Sequence, residues 1–292
     1  MIRGRCETSG VRHVGTPARG GAKSERRPYH VGMALIPDTG VALRRLDYSE
    51  TSQVMVFFTR GHGKVRAIAK GIKRSTKTRF AVGIDLLDIG DMVFSVRQPR
   101  QEALAVLTEW KQRRALAGLR EKLDRLYAGQ YAGEITAALT EDWDSHPDLY
   151  DGLLATLETL CEADAVLGSM VDYQCLLLEQ IGCWPEFEVC VSCRRPPAGQ
   201  GDLHFSALEG GLICRDCEPG LVEKREVDRQ VLAIVRGRRA TSAPAAGSGR
   251  RAEAAVERAF DVLNYHIAHQ MGREPLLASK VVRSMERRGE GT

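Results

Sequence analysis

Four cysteines set the narrowest limit on what this chain can fold into. Cys190 and Cys193 form one Cys-x-x-Cys pair, Cys214 and Cys217 form another, and twenty residues separate them. Each pair can turn tightly enough to present two thiolates to one ion, and two such turns complete a tetrahedron. Four thiolates leave no open position for water, so the expected cofactor is one structural zinc ion rather than a catalytic one. Gly210-Gly211 and Pro219-Gly220 flank the second pair and give the turns room, while Arg194, Arg195 and Arg215 lie beside the ligands to offset their negative charge. The competing reading is free buried thiols or a redox pair, but two pairs at this spacing in a reducing compartment favour metal. Cys6, Cys161, Cys175 and Cys183 are left over; Cys161 and Cys175 fall within apolar helical stripes and read as small core residues.

The rest of the chain divides by its apolar period. Residues 1–32 carry seven Lys/Arg and two Glu with no apolar periodicity, a net of +5 out of the whole chain's +4. They read as a disordered extension, either a basic arm or sequence upstream of a true start at Met33. From there to residue 112 the pattern is that of strands. Gly40–Arg45 and Lys64–Lys70 alternate, Gln53–Thr59 is a β-branched and aromatic run, Gly61-His62-Gly63 is a hairpin turn, and Asp91–Val96 and Glu102–Thr108 flank Gln98-Pro99-Arg100. Five short antiparallel strands in about 80 residues suit a small closed barrel of OB-fold size. From Ala115 to Ile181 the period becomes helical, with stripes Leu116–Tyr127, Leu149–Leu160 and Val171–Ile181 and a break at Asp144-Ser145-His146-Pro147. Val227–Arg239 and Ala252–Gln270 are again helical, around a flexible linker at 241–249. The expected fold class is α+β: an extension (1–32), an N-terminal OB-fold β-barrel (33–112), an α-helical domain in two parts (113–185 and 221–292), and an inserted four-cysteine zinc knuckle (186–220).

A second cluster is electrostatic. Arg60, Lys64, Arg66, Lys70, Lys73, Arg74, Lys77 and Arg79 fall within twenty residues that hold no acid. On a strand Lys64, Arg66 and Lys70 share a face, and a phosphate backbone is the natural partner of such a stripe; Arg44 and Arg45 extend it on the first strand. Tyr48, Phe57, Phe58 and Phe94 are candidates for base stacking, against the alternative that the three phenylalanines fill the barrel. Signals for catalysis are absent: there is no Gly-x-x-x-x-Gly-Lys-Ser/Thr loop, Asp85, Asp88 and Asp91 suit a strand-edge loop better than a metal cluster, and His266 and His269, one helical turn apart, have no evident acidic partner. An enzyme is not expected. No run approaches the ~18 apolar residues of a membrane span and no signal peptide leads the chain, so the cytoplasm is the expected compartment.

Along the chain come Leu43-Arg44-Arg45-Leu46-Asp47-Tyr48-Ser49-Glu50, Phe58-Thr59-Arg60-Gly61-His62-Gly63, Ala69-Lys70-Gly71-Ile72-Lys73-Arg74, Leu107-Thr108-Glu109, Phe205-Ser206 with Gly210-Gly211 and the four cysteines, and Gly272-Arg273-Glu274-Pro275-Leu276. In that order these segments resemble the RecO family of bacterial DNA repair proteins. The resemblance runs from Ala34 to about Met285 and leaves residues 1–32 outside. It implies an OB-fold, a helical domain and a zinc knuckle, with zinc as scaffolding because some members lack the cysteines. It further implies binding to single- and double-stranded DNA, annealing of complementary strands, a RecR partner, help in replacing single-strand-binding protein by RecA, and nucleoid association during repair. Two other classes compete: a zinc-ribbon and OB-fold RNA-binding factor, and a nuclease or transferase whose site does not show in the sequence.

Overall fold

A computed structural model describes residues 34–50, 52–70, 83–96, 104–197, 203–240 and 250–289. Strands β1 (Ala34–Asp47), β2 (Gln53–Thr59), β3 (Gly63–Ala69), β4 (Ile89–Val96) and β5 (Ala105–Arg114) close into a barrel in the order β1-β2-β3-β5-β4, with β4 returning to β1. One pairing departs from the all-antiparallel expectation: β3 and β5 run parallel through Ala67↔Ala105 and Ile68↔Val106. Five strands around a ring cannot alternate in direction all the way, so an odd-numbered barrel needs one parallel seam.

Period-two alternation sends adjacent residues of one strand into two different cores. Phe57 points into the barrel with Met55, Val65, Ala67, Met92, Phe94 and Trp110. Phe58 points outward and, with Val41, Leu87 and Ile89, joins the helical core. All three phenylalanines weighed as base platforms, Phe57, Phe58 and Phe94, are fully buried and unavailable for stacking. Truncating any of them to Ala should cost about 3–5 kcal/mol.

Helices α1 (Ala117–Glu121), α2 (Leu123–Leu139), α3 (Pro147–Glu162) and α4 (Val166–Gln180) follow. The stripe expected from Leu116 to Tyr127 is not continuous. Lys122 is extended (φ −134°, ψ 137°) between α1 and α2, and the resulting change of phase leaves Leu123 61% exposed. The break lets α1 approach the end of α3 closely: a Cβ at Gly118 would lie 2.6 Å from the carbonyl oxygen of Cys161. There Arg125, nearly buried, donates to the carbonyls of Ala163 and Cys161 and serves the otherwise unpaired C-terminal end of α3. Pro147 opens α3 as the turn at 144–147 predicts, and a second break at 163–165 separates α3 from α4. Cys175 is buried among apolar residues and Cys161 packs at the edge of the same core.

The cysteine region carries a small sheet that the spacing alone does not foretell, β6 (Leu203–Ser206), β7 (Gly211–Ile213) and β8 (Arg225–Val227) in the order β7-β6-β8. Val227 therefore belongs to a strand, and helix α5 (Arg229–Ala240) starts two residues later, where Asp228 accepts the Val231 N–H at 2.9 Å as an N-cap. Helices α6 (Arg250–Met271) and α7 (Ala278–Gly289) complete the chain. Glu134 of α2 holds the entry to α7 by accepting from Arg273 (2.8 Å), Leu276 N (2.9 Å) and Leu277 N (3.1 Å). The segment 272–276 thus ties the last helix to the second. Among the described residues no helix is long and apolar enough to cross a membrane.

Candidate metal centre and nucleic-acid surface

Two tight backbone turns present the four sulfurs. In the first, Arg194 N donates to Cys190 O (2.8 Å) and Cys190 N to Arg195 O (2.9 Å), with Arg194 in the left-handed region at φ +60°. In the second, Cys217 N and Glu218 N both donate to Cys214 O at 3.0 Å. The turns are brought together because the segment before Cys190 pairs with β7: Leu212 N donates to Glu186 O and Val191 N to Leu212 O, each at 2.9 Å. Gly211 is required at this crossing, since a Cβ there would sit 2.6 Å from Glu186 O.

The four sulfurs lie within 4.8 Å of one another, and Cys193 Sγ to Cys214 Sγ is 3.7 Å. A tetrahedron with metal–sulfur bonds of about 2.3 Å has edges of about 3.8 Å, whereas a disulfide needs about 2.05 Å. The donor set therefore fits a single metal ion. Its surroundings favour thiolates unevenly. Burial pushes the Cys190 thiol up, but the N–H groups of Cys193, Cys214 and Ser192 outweigh it and bring the pKa down to about 6. The backbone N–H of Arg195, and then its guanidinium, lower Cys193. Cys217 is pushed up to about 12, first by the Cys214 sulfur and then by burial. A cation that replaces the retained proton relieves this crowding of sulfurs. Arg194, Arg195 and Arg215 are exposed beside the turns, and Arg195 also faces Asp216 at 3.8 Å.

The basic run has a different fate along its length. Arg60 makes a forked contact with Asp151, Nε and Nη2 donating at 2.9 and 2.8 Å. Lys64, with 15% of its side chain exposed, donates to Ala137 O (2.8 Å) and Thr140 O (2.5 Å) at the end of α2 and faces Asp142 at 3.4 Å. Arg66 pairs with the other oxygen of Asp142. The premise that no acid compensates this run is thus corrected: the acids come from residues 142 and 151, far away in sequence. Arg45 faces Asp85 at 3.9 Å. Arg44 and Lys70 are exposed and form no ion pair with another described residue. Lys73, Arg74, Lys77 and Arg79 lie outside the described residues.

Register groups what remains. Arg44 pairs with Val56 and Val56 with Arg66; Leu46 pairs with Val54 and Val54 with Ile68. Tyr48 and Lys70 follow the last residues of β1 and β3, at the end of the sheet where Asp47 pairs with Gln53 and Gln53 with Ala69. Tyr48 is 65% exposed and Leu46 42%, so of the aromatic candidates only Tyr48 offers a ring to solvent. Elsewhere, Arg120 faces Asp85 (3.1 Å) and Asp88 (3.6 Å), and Arg113 faces Asp91 (2.8 Å), so these carboxylates act in ion pairs. His266 is buried with Nε2 3.0 Å from Cys183 O, in a structural position. Sequence reasoning misses Asp142, Asp151 and Glu134; nothing in their local sequence marks their partners.

Comparison with known proteins covers nearly all of the described chain. Residues 33–115 match the family described as Recombination protein O N terminal, and residues 120–280 match Recombination protein O C terminal. The chain is 30% identical to the DNA repair protein RecO of Anaeromyxobacter dehalogenans strain 2CP-C over 80% of this chain and 91% of that protein. It is 31% identical to that of Rhodopirellula baltica over 61% of this chain and 66% of the relative, and 30% identical to that of Alkaliphilus metalliredigens over 63% and 72%.

Proposed function

This chain belongs to the recombination protein O family of DNA repair proteins, and on that premise we propose that it binds single- and double-stranded DNA and anneals complementary strands. In the same reading it assists RecA in replacing single-strand-binding protein, with RecR as partner, in the cytoplasm and at the nucleoid during repair. The observation that carries the DNA reading is the β1-β2-β3 side of the barrel, where Arg44 and Lys70 are exposed with no ion-pair partner among the described residues and the Tyr48 ring is exposed. Cations without partners bind phosphates by releasing counterions, and an exposed ring stacks on any base. Both contacts are blind to sequence, which suits a protein that must act on whatever strand is broken. Annealing requires two phosphate backbones to approach, and a cationic face lowers that repulsion without fuel. Non-catalytic action of this kind needs no nucleophile, general base or nucleotide. The barrel (33–112) is the DNA-binding part, the helical parts (113–185 and 221–292) its support, and the insert (186–220) holds one zinc ion through Cys190, Cys193, Cys214 and Cys217 as scaffolding. Zinc supplies cross-linking of the two turns when bound, and no step of annealing passes through it.

The test is annealing of complementary oligonucleotides coated with single-strand-binding protein, comparing the natural chain with Lys70, Lys73 and Arg74 all replaced by Ala. The variant is expected to bind different DNA sequences uniformly more weakly, because phosphate contacts carry no base information. Its slope of log affinity against log salt should become shallower by about 0.7 for each phosphate that is no longer neutralised on a single strand. Metal content and melting temperature should hold. An unchanged salt slope and annealing rate would move the DNA path away from this face.

A further inference from the structure

The acids that pair with Arg60, Lys64 and Arg66 come from one stretch. Residues 141–151 contain Glu141, Asp142, Asp144, Asp148 and Asp151 and no Lys or Arg. This segment is anchored to the barrel independently of its charges: Trp143 N donates to Lys64 O at 2.9 Å, and the Trp143 ring packs 5.8 Å from that of Phe94. The anchor delivers Asp142 to Arg66, and α3 delivers Asp151 to Arg60. Both arginines remain half exposed or more, at 54% and 62%; Asp151 is 51% exposed, whereas Asp142, which also faces Lys64, is 25% exposed. Lys64 differs, because it is largely buried on two backbone carbonyls.

Two parallel N–H···O bonds from Arg60 to the Asp151 carboxylate are the geometry in which a guanidinium also takes a phosphate. Exposed ion pairs contribute little stability in water, so a phosphate can exchange for such a carboxylate without unfolding anything. We propose that Asp142 and Asp151 occupy a latent phosphate-binding strip made by Arg60 and Arg66 and compete with DNA for it. This inference rests on the DNA-binding reading above and adds that the chain restrains its own grip on DNA. The competing carboxylates keep the hold weak, which suits a protein that has to let go of the duplex it has formed. The acidic segment itself stays in place; only side chains exchange partners.

The experiment uses the full chain, a fluorescent oligo-dT strand and a salt series. Asp151→Asn keeps the shape of the side chain and removes the charge at an exposed position, so folding is not at risk. It is expected to tighten binding by about three- to tenfold at moderate salt and to steepen the salt slope by about 0.7, the value of one further phosphate neutralised. Arg60→Ala should abolish the gain in the Asp151→Asn background. Asp151→Asn that binds no more tightly than the natural chain, while Lys70→Ala still weakens binding, overturns this inference and leaves the DNA reading standing. If neither the natural chain nor Asp151→Asn binds oligo-dT, both readings fall.

Discussion

Cys190→Ser is expected to empty the metal centre and lower the melting temperature by on the order of 10 °C. Cys190 is the most buried of the four ligands, and its sulfur also accepts the Cys214 N–H at 3.3 Å, so it ties the two turns together even before an ion arrives. Structural zinc contributes about 10–16 kcal/mol to isolated zinc-finger peptides that are unfolded without it. The loss here is smaller because the sheet around the centre has a core of its own: Leu203, Phe205, Leu212 and Val227 are buried in the large helical cluster. What lacks such support is the pair of turns, so a loss of about 3–5 kcal/mol is reasonable, and at roughly 2–4 °C per kcal/mol it gives the expected shift. A strong chelator should reproduce the shift in the natural chain, and acid should promote release because protons and metal compete for the same sulfurs. Elemental analysis of freshly prepared protein should find about one zinc per chain, and finding none would sink the assignment. DNA binding should survive the substitution, since the barrel face shares no residue with the centre.

How much of this is legible in the sequence depends on the distance over which the deciding interaction acts. The expected strand Gln53–Thr59 coincides with β2, and alternation alone places Phe57 and Phe58 on opposite faces. The metal ligands are equally legible, because two residues of spacing define a turn and four thiols define the chemistry. Helix α7 is not: its apolar contribution is small, and its entry is held by Glu134, 142 residues before Leu276. The ionic state of the hairpin is the hardest to read. A run without an acid suggests free cations, yet Arg60 finds its acid 91 residues away. Charge clusters report what a segment carries, whereas partner choice is settled by which elements the fold brings alongside.

The same docking of barrel and helices predicts a severely damaging small substitution. Gly63 begins β3 at φ +63°, and a Cβ there would lie 1.6 Å from Asp144 O and 2.4 Å from its carbonyl carbon. No rotamer relieves this, because the neighbour is backbone. Gly63→Ala must therefore push the 142–144 segment off the barrel, and the left-handed backbone adds about 1–2 kcal/mol. Displacement removes Asp142 from the Lys64 ammonium, which has little water to replace it. Breaking a buried charge from its partners costs about 3–5 kcal/mol, so a total on the order of 5 kcal/mol and a fall of about 10–20 °C in melting temperature are expected. Gly61→Ala, two residues earlier in the same turn, supplies the control. Its Cβ would meet only the Asp38 carboxylate at 3.2 Å, the end of a side chain, and a shift within about 1 kcal/mol is expected because surface changes of this kind are usually small. If Gly63→Ala melts with Gly61→Ala, the contact between hairpin and helical connection does not hold the two parts of the molecule together. If it melts far below, the cations of this hairpin serve the fold, and Lys64 in particular belongs to the interior.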